Sequence, residues 1–307
     1  VKVVTFLSAK GGVGKTTLTV NTANELASRV GGEEKVLVID LDAQAGATVY
    51  VLGHEQQENL EKGGSTVYEL LRSVLRAREE ALDPERLKRF VVRAGGEWSS
   101  RLYLLPGDSR IMAIEREAIA EAAAGGFGWI VLLRQLLPKL SESGFSYVFV
   151  DPPAAFGALA RMALAAADYF VVPIVPDDLG RVSFRMFVSD FFREAVLQIK
   201  QSGRSEPPLC GGVVFNKIKS TSKTQEVIAN SIAEEVSTRK LYGRYAIPVY
   251  KSRLHDYIIY VKALEEHKPL SRMRIRSDQD EQAKEEFESY FNEFYDYVVR
   301  DKVKSLG

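Results

Sequence analysis

Residues 1–17 read VKVVTFLSAKGGVGKTT: an apolar β-rich run, a glycine-rich loop with two lysines, then a pair of threonines. No other stretch restricts the fold as tightly. A loop of small residues lets successive backbone N–H groups turn inward around phosphate oxygens. Such a loop also needs a lysine for the β- and γ-phosphates and a hydroxyl for Mg²⁺. Gly11, Gly12, Val13 and Gly14 make the turn, Lys15 brings the charge, Thr16 the metal ligand and Thr17 a hydroxyl for the α-phosphate. The usual spacing places a further glycine where this chain has Ala9, a mild change. The loop has to follow a strand and open a helix, whose positive end then also faces the phosphates. The pattern TTLTVNTANELASRV at 16–30 supplies that helix. Lys10 is surplus to this scheme, since one lysine is enough.

The rest of the chain suits such a loop. KVLVIDLD (35–42), RLYLLPG (101–107), YVFVDPP (147–153), YFVVPIVP (169–176), GGVVFN (211–216) and AIPVY (246–250) read as strands, with helical patterns between most of them. Runs that are apolar throughout fit a parallel sheet covered on both faces. The pattern predicts an α/β fold, a doubly wound, mostly parallel sheet flanked by helices. No linker-like run divides the chain, so one domain over 1–307 is expected. Residues 54–100 read as a helical insertion, with STVYELLRSVLRAREEALD and PERLKRFVV as its helices. A long C-terminal helix is expected over 277–304, with Phe287, Phe291, Phe294 and Val298 on one face and Tyr290 and Tyr297 beside it. That stripe reads as core packing.

Composition removes several classes of function. Cys210 is the only cysteine, which excludes an internal disulfide framework and a cysteine-rich metal or iron–sulfur site. No apolar run approaches membrane-spanning length, and a cytoplasmic protein is expected. Lysine plus arginine and aspartate plus glutamate number 41 each. The balance is uneven along the chain: residues 181–276 hold 18 Lys/Arg against nine acids.

KGGVGKTT (10–17) resembles, throughout, the deviant Walker A motif of the ParA/MinD family of P-loop ATPases, with Lys10 in the place of the signature lysine. LVIDLDAQAGAT (37–48) resembles that family's L-x-D-x-D-x-Q-x-x-x-T segment, with Ala43 where proline is common. YVFVDPPAAFG (147–157) resembles its Walker B segment, with Ala154 in place of a second proline. RLYLLPGDSRI, ADYFVVPIVPDD and GGVVFNKIK also fall in family order, so the likeness covers about residues 1–270. It implies ATP/ADP and Mg²⁺ as cofactors. Asp42 would position the attacking water, and Asp40 and Asp151 would serve the Mg²⁺ shell with Thr16. Asn216, followed by Lys217, and Pro248 of the Ile247-Pro248-Val249 segment would contact adenine. Lys10 would reach across a dimer interface to the other subunit's phosphates.

Within that family, the branches that need bridging cysteines are excluded. The MinD-like branch ends in a basic, apolar membrane helix, unlike the acidic, aromatic tail here. The resemblance is closest to ParA (Soj-like) partition ATPases, which implies an ATP-bound homodimer, non-specific DNA binding on the nucleoid and a centromere-binding, ParB-like adaptor, with no membrane partner. Backbone-directed DNA binding needs lysines and arginines rather than base readers, and the chosen candidates are Lys217, Lys219, Lys223, Lys240, Arg244, Lys251 and Arg253. The alternatives are a MinD-like positioning ATPase and a metabolic P-loop enzyme.

Overall fold

The computed structural model describes residues 1–77, 84–238, 240–241 and 245–305. Its strands are β1 (Lys2–Phe6), β2 (Lys35–Asp40), β3 (Val92–Arg93), β4 (Leu102–Leu105), β5 (Phe145–Asp151), β6 (Tyr169–Ile174), β7 (Leu209–Ile218), β8 (Lys240–Leu241), β9 (Tyr245–Ala246) and β10 (Val249–His255). Neighbouring residues of a strand face opposite sides, and here both sides are apolar. Val3, Leu37, Ile39, Val148 and Val150 enter one core, while Val4, Phe6, Val36, Val38 and Phe149 enter the other. This is the arrangement expected of apolar runs with no alternation, and it commits the sheet to helices on both faces.

The eight-stranded sheet has the order β10-β7-β6-β1-β5-β2-β4-β3. Every pair is parallel except β3 on β4. β1 lies at the middle, and the chain passes over it in going from β5 to β6. The carboxyl edge at such a crossing is where open α/β sheets hold ligands. In this protein that edge carries residues 7–14, Asp40, Asp151 and the end of β7. Helices Lys15–Arg29, Ile258–Glu265 and Asp278–Phe294 cover one face; helices Val67–Ala77, Leu132–Glu142, Ala158–Ala166 and Phe192–Gln201 cover the other.

The aromatic stripe near the C-terminus is core, as its spacing predicts. Phe294 packs 6.4 Å from Phe6 and 5.9 Å from Phe149, and the buried Tyr290 hydroxyl shares a 3.0 Å hydrogen bond with Thr22. The helix Asp278–Phe294 is shorter than the expected 277–304. It runs on as one wide turn, Tyr295–Val299, and Asp301, with φ 59°, precedes a last short turn, Lys302–Ser305.

Three other expectations need correction. PERLKRFVV is helical only over Pro84–Leu87, and its valines enter β3, where Val92 pairs with Leu104. A β-branched pair beside the open edge of β4 favours the strand. The insertion therefore adds an edge strand as well as helices. The helix read over 65–83 begins at Val67, and its part beyond Ala77 lies outside the described residues. The last sheet strand is not AIPVY but Val249–His255, shifted toward the C-terminus. Pro248 has no N–H to give a ladder, and only its carbonyl is used, accepting from Val213 N at 2.8 Å.

Candidate nucleotide-binding site

The loop between β1 and helix Lys15–Arg29 bounds an open pocket of about 270 Å³, with Lys10, Lys15, Thr16, Thr17, Asp42 and Lys217 on its walls. Gly14 stands before the helix with φ 83°, and a Cβ there would lie 2.4 Å from Asn216 Nδ2. Both the backbone angle and the close approach demand glycine. Asn216 Nδ2 donates to Val13 O at 2.7 Å, so the end of β7 holds the loop in shape.

Two carboxylates stand side by side at the strand ends, since Asp40 on β2 is in register with Asp151 on β5. Asp151 is buried and accepts from Lys15 Nζ at 2.6 Å and Thr16 Oγ1 at 2.7 Å, with Thr19 Oγ1 at 3.4 Å. Asp40 faces the next loop instead. Its Oδ2 accepts from Thr48 N at 2.8 Å and Thr48 Oγ1 at 2.7 Å, and its Oδ1 accepts from Asp42 N at 3.1 Å. Asp40 therefore fixes the segment 42–48, which presents Asp42 to the pocket. Of the three residues expected at a metal, Thr16 and Asp151 are hydrogen-bonded to each other, while the oxygens of Asp40, beside Asp151, are engaged by Thr48 and the Asp42 N–H. Asp42 Oδ1 accepts from Gln44 N at 2.9 Å.

These oxygens suit Mg²⁺. Thr16 Oγ1 and Asp151 Oδ2 are 2.7 Å apart, close to the roughly 3 Å edge of an octahedron of oxygens at about 2.1 Å. Among the described residues no cluster of three or more His, Cys, Asp or Glu forms an all-protein cage. Mg²⁺ is ordinarily held by one or two protein groups together with phosphate oxygens and water.

Burial, and next the charge of Asp151, push the Asp40 carboxyl up to about 7, against the hydrogen bonds from Thr48 and Asp42. A pKa raised above its unfolded value near 3.9 stabilises the fold fully below about pH 4, and that contribution is lost as pH rises through about 7. Between pH 5 and 8 this loss is about 2–3 kcal/mol at most. Denaturant unfolding at both pH values checks it: Asp40→Asn should flatten the difference. A slope equal to that of the unmodified protein would remove Asp40 as its source.

Lys10 sits apart from the buried Lys15–Asp151 pair. Its Nζ meets Asp177 Oδ2 at 2.6 Å, with both side chains about one-third exposed. Asp177 also caps the helix Asp178–Met186 through Gly180 N at 2.6 Å. The sequence reading did not assign Asp177 a role, although an acid just before a helical pattern at a strand end is a capping signal.

A second pocket, of about 170 Å³, adjoins the first through Gly14, Thr17 and Lys217. Asn216 lines it as expected, but Pro248 does not. A parallel strand brings its carboxyl end to this edge, and Pro248 precedes the first residue of β10. His255, Asp256 and Tyr260 take its place on the pocket wall.

The basic candidates divide as well. Lys217 lines the phosphate pocket with φ 55°. Arg253 is partly buried, lies 4.7 Å over the Phe215 ring and donates to Tyr250 O at 2.9 Å. Lys219, Lys223 and Lys251 are exposed. Lys240 is placed in β8 without its side chain being described, and Arg244 lies outside the described residues. Burial pushes the Cys210 thiol up to about 12, which disfavours its thiolate.

Residues 1–190 match the AAA_31 family, described as an AAA domain. Among curated proteins, plasmid partition protein A of Escherichia coli is 27% identical over 83% of this chain. The chromosome-partitioning ATPase Soj of Thermus thermophilus is 32% identical over 57%. The matches span 60% and 55% of those two relatives' own length. Among solved structures, apo McdA of Cyanothece shares the fold at a TM-score of 0.70 and 21% identity, over 96% of this chain and 98% of that one.

Proposed function

The chain belongs to the AAA_31 family, the ParA/MinD-type P-loop ATPases, and we propose that it works as a ParA-like partition ATPase. In this reading the ATP-bound chain pairs with a second copy, holds duplex DNA without sequence preference and lets go on hydrolysis. A ParB-like adaptor bound to the cargo stimulates that hydrolysis. The observation that carries the reading is the division between two lysines. Lys15 is buried against Asp151 inside its own pocket, whereas Lys10 stands on the rim, held only by a partly exposed ion pair. In this reading the rim lysine serves phosphates that belong to another molecule, as an arginine finger does in trans.

The residues divide the work of phosphoryl transfer. Backbone N–H groups of residues 11–16 and the positive end of helix Lys15–Arg29 bind the phosphates. Lys15 moves from Asp151 to the β- and γ-phosphates when they enter. Thr16 and Asp151 would hold Mg²⁺, which when bound neutralises charge on the phosphate oxygens. Asp42 orients the water and accepts its proton, and Asp40 keeps Asp42 in place through the 42–48 segment. The pocket beside Asn216, His255, Asp256 and Tyr260 takes the base.

A membrane-positioning role has less support. The apolar stripe of the C-terminal helix is consumed by the core, and among the described residues no helix is long and apolar enough to cross a membrane. Binding to random-sequence duplex DNA with ATP, with ADP and without nucleotide tests the proposal. Binding that appears with ATP alone is the expected result, with affinity falling steeply as salt rises. Binding indifferent to nucleotide would contradict it.

A further inference from the structure

Arg272, Arg274 and Arg276 occupy alternate positions in the stretch that leads from the short turn Leu270–Arg272 to helix Asp278–Phe294. All three are exposed, and among the described residues none has an ion-pair partner. That sets them apart from Arg29, Arg72, Arg110, Arg161 and Arg185, each of which is paired with a glutamate. The acids that follow, Asp278, Asp280 and Glu281, lie in the first turn of their helix, where they offset its positive end. Met273, between the first two, is extended with φ −65° and ψ 140°, which sets its neighbours about 6–7 Å apart, and each guanidinium offers a planar fork of donors matched to a phosphate.

The backbone that carries them is fixed from both sides. Met273, between the first two arginines, is buried, and Lys284 Nζ donates to Met273 O at 2.6 Å and Ser271 O at 3.2 Å. Arg276 N donates to Asp280 Oδ2 at 2.9 Å. At the other end, Leu270 N donates to Asn21 Oδ1 at 2.7 Å. Asn21 is buried on helix Lys15–Arg29, and its Nδ2 donates to Thr17 O at 2.9 Å. Thr17 borders the phosphate pocket. Two hydrogen bonds thus connect the nucleotide loop to the start of the arginine-bearing segment.

Resting on the DNA-binding reading above, we infer that Arg272, Arg274 and Arg276 form the surface that grips the phosphates of duplex DNA, with Asn21 tying it to the nucleotide helix. Of the residues singled out from the sequence, Lys217 lines the phosphate pocket and Arg253 lies over Phe215, while the exposed Lys219, Lys223 and Lys251 stand one apiece after β7, at the start of helix Lys223–Ser237 and in β10. This run instead sets three exposed guanidiniums within five consecutive residues. Apolar exposure within it is confined to Ile275, 48% exposed, which favours a polyanion over a lipid surface.

The test compares the ATP-loaded full chain with its Arg272→Ala/Arg274→Ala/Arg276→Ala variant on random-sequence duplex DNA and on anionic phosphatidylserine vesicles. Salt is varied from about 50 to 200 mM. Losing three phosphate contacts should lower the slope of log affinity against log salt by about 2.7. The affinity advantage of the unmodified chain then shrinks about 40-fold across that range. Nucleotide affinity and turnover without DNA should not change, because the three residues lie outside the pocket. Equal slopes for the two proteins, with both binding DNA, would overturn the inference and leave the partition reading intact. No DNA binding by the unmodified chain with ATP would overturn the partition reading itself. Vesicle binding lost in the variant, with DNA binding kept, would assign the run to lipid and overturn the inference.

Discussion

Asp42→Ala is expected to bind ATP as the unmodified protein does and to hydrolyse it at least about 100-fold more slowly. Asp42 lies on the wall of the phosphate pocket together with Lys15 and Thr16. It is not needed to shape the loop, which is braced by Asn216 from β7. Its own position depends on Asp40 and Thr48, two buried residues that survive the substitution. On the proposed mechanism the variant therefore loses the group that handles water while keeping the groups that handle phosphate. Stopped after binding, it should accumulate in the ATP state and stay on DNA. Single-turnover hydrolysis and nucleotide affinity, measured on the same sample, separate the two steps. Normal turnover would take Asp42 out of the mechanism, and a loss of ATP affinity would make it a binding residue.

The second large effect is expected at Lys10. Its partly exposed pair with Asp177 contributes about 0–1 kcal/mol, so Lys10→Ala should leave unfolding almost unchanged. Asp177 keeps its second bond, to Gly180 N, and the helix it caps stays capped. Against that small structural cost, a cation supplied in trans to phosphoryl transfer is worth about 10³–10⁵ in rate. Lys10→Ala should bind nucleotide normally and lose adaptor-stimulated hydrolysis by about 1,000-fold. Unchanged stimulated hydrolysis would reduce Lys10 to a surface residue. Because the pair with Asp177 is cheap to break, it does not stand in the way of the role proposed for Lys10 at a second copy's phosphates.

The sheet and the phosphate loop were legible because each rests on local chemistry. Continuous apolar runs have no solvent face and must lie inside, and Gly12 and Gly14 hold positive φ angles that other residues avoid, Gly14 with a close contact to Asn216 besides. Asp42 and Asp151 were placed by motif order. Partnerships across the sheet were not legible. The Lys10–Asp177 pair joins residues 167 apart in sequence, and no pattern in either segment announces it. Pro248 was misplaced because the motif carried no information about where β10 begins in register with β7. Lys217 and Arg253 were chosen by charge alone, and charge does not say whether a side chain faces a pocket, an aromatic ring or water. Asp40 shared the acidic spacing of the metal site, yet the fold gives its oxygens to Thr48 and to the backbone of Asp42.

If ATP joins two copies of this chain, as proposed, light scattering of Asp42→Ala should give a particle of 34.2 kDa without nucleotide and one of twice that mass with ATP, returning to the smaller mass in ADP. Adding Lys10→Ala to that variant should weaken the larger particle. A mass of 34.2 kDa that holds at saturating ATP would contradict the proposal.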